Sequence, residues 1–169
     1  MSVQEAVLAA ASAAKEAARV LARTDGDTRN RALLSMAEAI RSEAPQIMEA
    51  NVRDMEAGRQ KGLSSAMLDR LMLDDQRIEK IAQALEEIAQ LPDPVGRVLA
   101  SWTIPNGLDI EKVAVPIGVI GIIYESRPNV TADAAGLCMK SGNAALLRGG
   151  SEAFNSNLAL ARALRAACA

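Results

Sequence analysis

Residues 115–150 read VPIGVIGIIYESRPNVTADAAGLCMKSGNAALLRGG, and this stretch decides the fold. Ile117 to Tyr124 is an apolar run of strand length, rich in β-branched residues, entered at Pro116 and interrupted only by Gly118 and Gly121. Such a run suits a strand covered on both faces. A polar turn, Glu125-Ser126-Arg127-Pro128-Asn129, follows it. Thr131 to Lys140 then carries Ala134, Leu137 and Cys138 among the small residues of a buried helix, and Gly142 ends that helix. Ala144 to Leu147 is a second short apolar strand with Arg148 at its carboxyl end, and Gly149-Gly150-Ser151 opens a further helix running to Cys168.

The pattern is a βαβα unit. Parallel strands joined by a right-handed crossover bring their carboxyl ends to one edge, where ligands of open α/β sheets bind. Ser126, Arg127, Asn129, Arg148 and Ser151 are therefore expected on one rim. The dinucleotide fingerprint GxGxxG is absent, because Gly118 and Gly121 lie within the strand rather than at its exit turn. Ser151 reads as an N-cap, and the helix it opens would aim backbone N–H groups at the rim, an arrangement that suits a phosphate. The inner face of that helix is expected to carry Phe154, Leu158, Ala161 and Leu164. Asn129 is open to two readings, a rim residue or the cap of the helix that follows.

Immediately upstream the periodicity is that of strands. Segments 98–104 and 108–113 flank Pro105-Asn106-Gly107, and Asn-Gly is a strong hairpin signal. A two-stranded ribbon is marginal alone, so Trp102 and Ile104 need a partner surface. Pro92 and Pro94 separate this ribbon from a helical region.

In that region Ser2 and Glu5 form a capping box for a helix to about Ala22, with Val7, Ala10, Ala14, Ala17 and Leu21 as its apolar stripe. A turn over Thr24–Asp27 leads to a second helix, Thr28 to Ile40, with Leu33, Leu34, Ala37 and Ile40 inward. Ser42 and Pro45 punctuate the start of a third, which reaches about Glu56 with Ile47, Met48 and Val52 inward and is broken over Gly58–Gly62. Ser64 begins a short helix ending at Leu71. Asp74-Asp75 caps a longer one to Gln90, in which Ile78, Ile81, Ala82, Leu85 and Ile88 recur at helical spacing. Its charges, Glu79, Lys80, Glu86 and Glu87, read as a solvated face, and adjacent helical carboxylates diverge too far to share an acid–base site.

Half of the 169 residues are apolar but only 2% are aromatic, so the core has to be built by close approach of small side chains. A net charge of −2 argues against nucleic acid or an anionic membrane as the main partner. There is no long apolar span and no signal-peptide pattern, which makes the cytoplasm the expected compartment. With two cysteines and no histidine, neither a metal site nor a Ser/His or Cys/His dyad is expected. Cys138, within the apolar helix, reads as a small buried hydrophobe.

The segment VPIGVIGIIYESRPNVTADAAGLCMKSGNAALLRGGSEA resembles the γ-glutamyl phosphate reductases (glutamate-5-semialdehyde dehydrogenases) of the aldehyde dehydrogenase superfamily. YESRPNVT and LLRGGSEA carry the resemblance most specifically, and LSSAMLDRLMLDDQRIEKIA, LPDPVGRV and PNGLDIEKVAVPIGVIG extend it over essentially the whole chain. It implies an α/β, aldehyde-dehydrogenase-like fold with a helical amino-terminal part, a β-hairpin arm and an incomplete Rossmann-like parallel sheet. The corresponding boundaries are 1–95 for amino-terminal helices of the cofactor-binding domain, 96–114 for an oligomerisation hairpin and 115–169 for the first βαβα unit. A homo-oligomer formed through residues 97–114 follows from the same resemblance.

The reaction it implies is NADPH-dependent reduction of L-glutamate 5-phosphate to L-glutamate 5-semialdehyde and phosphate, in L-proline biosynthesis. A cysteine thiolate displaces phosphate from the acyl phosphate, and hydride from the cofactor reduces the resulting thioester. The family's nucleophile falls beyond residue 169, so this chain alone is expected to be inactive. Its expected contribution is the cofactor shelf, Arg148, Gly149, Gly150, Ser151 and Glu152, with the Arg148 guanidinium suited to the 2′-phosphate of NADPH. Either Ser126 or Asn129 matches the superfamily's oxyanion asparagine, and Arg127 holds either a substrate anion or an interdomain ion pair. The alternative is a non-catalytic dehydrogenase-like module that binds nucleotide or serves assembly.

Overall fold

The computed structural model describes residues 2–168. Seven α-helices and four strands run in the order α1 (Val3–Leu21), α2 (Gly26–Ser42), α3 (Ala44–Gln60), α4 (Ser65–Leu71), α5 (Asp75–Gln90), β1 (Val98–Thr103), β2 (Asp109–Val113), β3 (Val119–Ile123), α6 (Asn129–Lys140), β4 (Ala144–Arg148) and α7 (Phe154–Ala166). β1 and β2 form an antiparallel ribbon, and β3 and β4 a parallel pair. The fold is the α/β one expected. None of the described helices is long and apolar enough to cross a membrane.

Most helix starts are set by local chemistry. The Ser2 hydroxyl accepts from the Glu5 N–H while the Glu5 carboxylate accepts from the Ser2 N–H, completing the capping box. The Ser64 hydroxyl accepts from the Met67 N–H and the Asp74 carboxylate from the Arg77 N–H, capping α4 and α5. α2 starts earlier than its apolar pattern suggests, because the Asp25 carboxylate accepts from the Thr28 N–H and turns the expected loop 24–27 into a cap.

The core lies among the helices rather than on the sheet. Leu33, Ala37 and Ile40 of α2, Ile47 of α3, Ile78, Ile81, Ala82 and Leu85 of α5, Ala132 of α6, and Leu160 and Leu164 of α7 form one buried cluster. Small residues permit this. A Cβ on Gly136 of α6 would lie 2.7 Å from Leu85 Cδ2. α1 and α6 both pack on β4.

Several faces differ from the expected ones. In α1 the buried residue is Ala18, and Val7, Ala10 and Ala17 are exposed. Leu34 and Val52 point outward; the inner face of α3 is instead Ile47, Ala50, Asn51, Asp54, Met55 and Gly58. Gly58 does not break α3 but lies inside it, where a Cβ would come within 3.0 Å of Leu63 and 3.2 Å of Leu68. On α7 the inner face is Ser156, Leu160, Ala163 and Leu164, and Phe154 and Leu158 are exposed. For α3 and α7 the physical reason is shared: buried polar partners, described below, rotate both helices away from their apolar maxima. β3 is shorter than the expected strand and is not covered on both faces. Ile123 is 79% exposed, and nothing comes within 4 Å of a Cβ on Gly121.

The charges of α5 are not merely solvated. Arg41 of α2 makes ion pairs with both Glu79 (2.8 Å) and Glu86 (2.5 Å), one turn pair apart on α5. Hydrogen bonds from Arg41 hold both carboxyls below their ordinary range. In the linkage sense, depressed carboxyls contribute stability that is present above their unfolded pKa and lost as pH falls through the folded value. The melting temperature is therefore expected to fall as pH drops from about 5 to about 3, and Arg41→Gln to flatten part of that fall. Thermal melts of both proteins over that range measure it; parallel curves would show that the cluster is not linked to folding.

The ribbon pairs Trp102 with Ile110 and Thr103 with Asp109, so its connection is the five residues Ile104–Leu108, with Gly107 at φ 86°. A register irregularity between Val98 and Ala100 marks a bulge at Leu99. All of β1 is exposed, Trp102 included.

Candidate functional site

β3 and β4 end flush, with Ile123 opposite Arg148 in parallel register and the Tyr124 N–H donating to the Arg148 carbonyl at 3.1 Å. Their other ends are tied too, the Gly118 N–H donating to Asn143 Oδ1 at 2.8 Å. Gly118 has φ 116° and so stands at the strand's entrance, not within it. With both ends fixed, the exit loops 124–128 and 149–153 are held side by side.

Between them lies an open groove of about 630 Å³ lined by Met67, Ile123, Tyr124, Glu125, Ser126, Arg148, Gly150, Ser151 and Glu152. The glycines make this approach possible. A Cβ on Gly150 would sit 3.4 Å from the Ser126 nitrogen and 2.8 Å from Glu152 Oε2. A Cβ on Gly149 would collide with the Asn157 side-chain amide and lie 3.2 Å from the Tyr124 ring. Behind the groove, the Tyr124 hydroxyl meets Thr131 Oγ1 at 2.6 Å, and Thr131 Oγ1 donates to Asn157 Oδ1 at 3.0 Å.

Three charged residues line this space, Arg148, Glu152 and the exposed Glu125. Arg148 is exposed, and among the described residues its guanidinium has no hydrogen-bond or ion-pair partner. Glu152 is the opposite case: Ser126 Oγ donates to its Oε2 and Ser151 Oγ to its Oε1, each at 3.0 Å. Its own backbone N–H, then the two hydroxyls, keep its carboxyl below the ordinary range, and Lys61 adds to the effect. The rim thus offers one free cation, the hydrogen-bonded Glu152 carboxylate and the exposed carboxylate of Glu125.

Of the residues expected at the rim, the structure brings Ser126, Arg148, Gly150, Ser151 and Glu152 around the groove, with Gly149 beneath them. Arg127 and Asn129 do not line it. Asn129 is the first residue of α6 rather than its cap, and its Nδ2 donates to Asp133 Oδ2 at 3.0 Å. Ser151 does not cap α7 either: it opens a 3₁₀ turn, Ser151–Ala153, before the helix begins. The α7 N–H groups go instead to Asp54 of α3, so they do not point at the rim. Met67, Glu125 and Asp54 escaped the sequence reading. Only for Glu125 was there a local signal, its place in the turn after β3.

Neither thiol belongs to the groove. Cys138 is buried in α6 and Cys168 lies at the exposed end of α7, and desolvation raises the pKa of both. A nucleophilic cysteine needs the opposite environment, one that favours the thiolate. No cluster of metal-ligating side chains occurs among the described residues.

The chain is 62% identical over 152 residues to a γ-glutamyl phosphate reductase of Paramagnetospirillum magneticum, an alignment covering 90% of this chain and 36% of that protein. The crystal structure of the γ-glutamyl phosphate reductase of Thermotoga maritima superposes with a TM-score of 0.92 at 46% identity, over 95% of this chain and 39% of that one. The Saccharomyces cerevisiae γ-glutamyl phosphate reductase gives a TM-score of 0.88 at 33% identity, covering 94% and 40%. The chain therefore spans about two-fifths of the length of the relatives it matches. With the family model matching residues 1–168, the chain belongs to the aldehyde dehydrogenase family, and its similarity within that family is to γ-glutamyl phosphate reductases.

Proposed function

We propose that this chain supplies the cofactor shelf of an NADPH-dependent reductase that converts L-glutamate 5-phosphate to L-glutamate 5-semialdehyde and phosphate, in the cytoplasm, on the route to L-proline. The observation that carries the reading is the unpaired Arg148 guanidinium at the end of two parallel strands, above a glycine-floored loop. The names of the relatives supply the reaction class.

The groove fits a nucleotide. Gly149 and Gly150 leave room for close approach, since a side chain at either position would fill the space or strike its neighbours. Arg148 can bind a phosphate through charge-assisted hydrogen bonds. Glu152, held ionised, is an acceptor for ribose hydroxyls and repels any phosphate that is not neutralised by Arg148. When bound, NADPH would supply the hydride. The residues of this chain bind and orient it, and Ser126 ties the two exit loops together through its hydrogen bond to Glu152.

In the same reading, residues 1–95 form the helical part of the cofactor-binding domain, 115–169 its first βαβα unit, and 96–114 an arm that joins subunits. The arm's exposed, unpartnered strands support the last of these, because edges of this kind pair with other chains.

The full-length protein is expected to oxidise NADPH in the presence of glutamate 5-phosphate, releasing one phosphate per NADPH. The 169-residue chain alone should show no turnover above background, because its two thiols are buried or remote from the groove. Turnover by the isolated chain, or its absence in the full-length protein, would overturn the reading.

A further inference from the structure

We propose that Asp54, with Asn51 and Ser156, is a buried positioning device for the 149–153 loop, acting on cofactor affinity without touching the cofactor; this rests on the function proposed above. Asp54 is 3% exposed and, among the described residues, has no basic partner. All of its hydrogen bonds go to the first turn of α7. Its Oδ1 accepts from the Asn155 N–H (3.1 Å) and Asn155 Nδ2 (2.7 Å), and its Oδ2 from the Ser156 N–H (2.7 Å) and Ser156 Oγ (2.6 Å).

A carboxylate is costly to bury unless its lone pairs are filled, so this one strongly prefers the single position of α7 that fills them. α7 has no cap of its own, its N-cap being Ala153. The cap comes from a residue about a hundred positions upstream. The segment between this anchored turn and the end of β4 is the rim loop, Gly149 to Ala153. It is held at one end by the sheet and at the other by Asp54.

The opposite wall is referenced to the same helix. Asn51, one turn before Asp54 on α3, donates to the Leu71 carbonyl (2.8 Å) and to Ser156 Oγ (3.0 Å), while its Oδ1 accepts from the Leu73 N–H (2.8 Å). That fixes the exit of α4, the helix that carries Met67 to the groove. Ser156 Oγ accepts from Asn51 and donates to Asp54, so its single proton is accounted for. α3 therefore sets the spacing of the two walls.

The test is made on the full-length protein. Asp54→Asn keeps the shape but sets an amide donor against N–H groups. It is expected to raise the NADPH Kd and KM about tenfold, the factor equivalent to one lost helix cap, with kcat at saturating cofactor little changed. Amide hydrogen exchange over 149–156 in the cofactor-free protein should accelerate by a similar factor. Ser156→Ala, which removes one hydrogen bond only, should give a smaller change in the same direction and serves if Asp54→Asn does not fold. Asp25→Ala, which removes a cap of the same chemistry from α2, should lower the melting temperature but leave NADPH affinity and the 149–156 exchange at wild-type values. The proposal is overturned if Asp54→Asn and Ser156→Ala lower only the melting temperature, or if Asp25→Ala reproduces their effect on affinity. Should the wild-type protein bind no NADPH, the proposed function falls, and the exchange comparison still decides whether Asp54 positions the loop.

Discussion

Leu85→Ala is expected to lower the unfolding free energy by about 2–5 kcal/mol, the range for emptying a fully buried leucine site. Leu85 has no solvent exposure and packs in the cluster that joins α2, α5, α6 and α7. Its Cδ2 is also the atom that a Cβ on Gly136 would meet, at 2.7 Å, with Ile88 Cδ1 at 3.2 Å. Glycine inside a helix normally costs up to about 1 kcal/mol relative to alanine, so its presence in α6 reflects that steric limit rather than helix propensity. Gly136→Ala alone should therefore destabilise by about 1–3 kcal/mol through overpacking. In the double variant the new methyl group enters the space that Leu85 vacates, and the total loss should be less than the sum by at least about 1 kcal/mol. Urea denaturation of the four proteins reads this coupling. Strict additivity would show that Gly136 and Leu85 do not share one packing site.

The largest functional effect is expected at Arg148. Removing its guanidinium deletes the only free cation among the groove's lining residues and leaves Glu152 ionised beside the phosphate. Arg148→Ala should weaken NADPH binding by about 1.5–3 kcal/mol, the range for a hydrogen bond to a charged group, and leave NADH nearly unaffected. Titration of the full-length protein with each cofactor separates the two. Equal losses for both would assign Arg148 a role in holding the β4 exit rather than in reading the 2′-phosphate.

The sequence discloses most where interactions are local. Ser2, Ser64 and Asp74 are caps because the groups they satisfy lie three residues away. The βαβ unit is legible for a similar reason, since strand-length apolar runs and the Gly142 helix stop are read within a few residues. Long-range polar burial is what hides. Asn51, Asp54 and Ser156 look like surface residues in any apolar-periodicity reading, yet they fill one another's hydrogen bonds across 105 positions and turn Val52, Phe154 and Leu158 outward. Arg41 likewise gathers Glu79 and Glu86 from a face that reads as solvated. The site follows the same division. Arg148, Gly150, Ser151 and Glu152 are announced by the strand end that precedes them. Met67 is not, because α4 reaches the groove only through the packing of α3.

The most direct measurement is a map of NADPH on this chain, by amide hydrogen exchange of the full-length protein with and without saturating cofactor. Protection is predicted over 124–127 and 148–153, the two exit loops of the parallel strands, with no change over the ribbon 98–113. Protection confined to other helices, or none in either exit loop, would contradict the placing of the cofactor shelf at Arg148–Glu152.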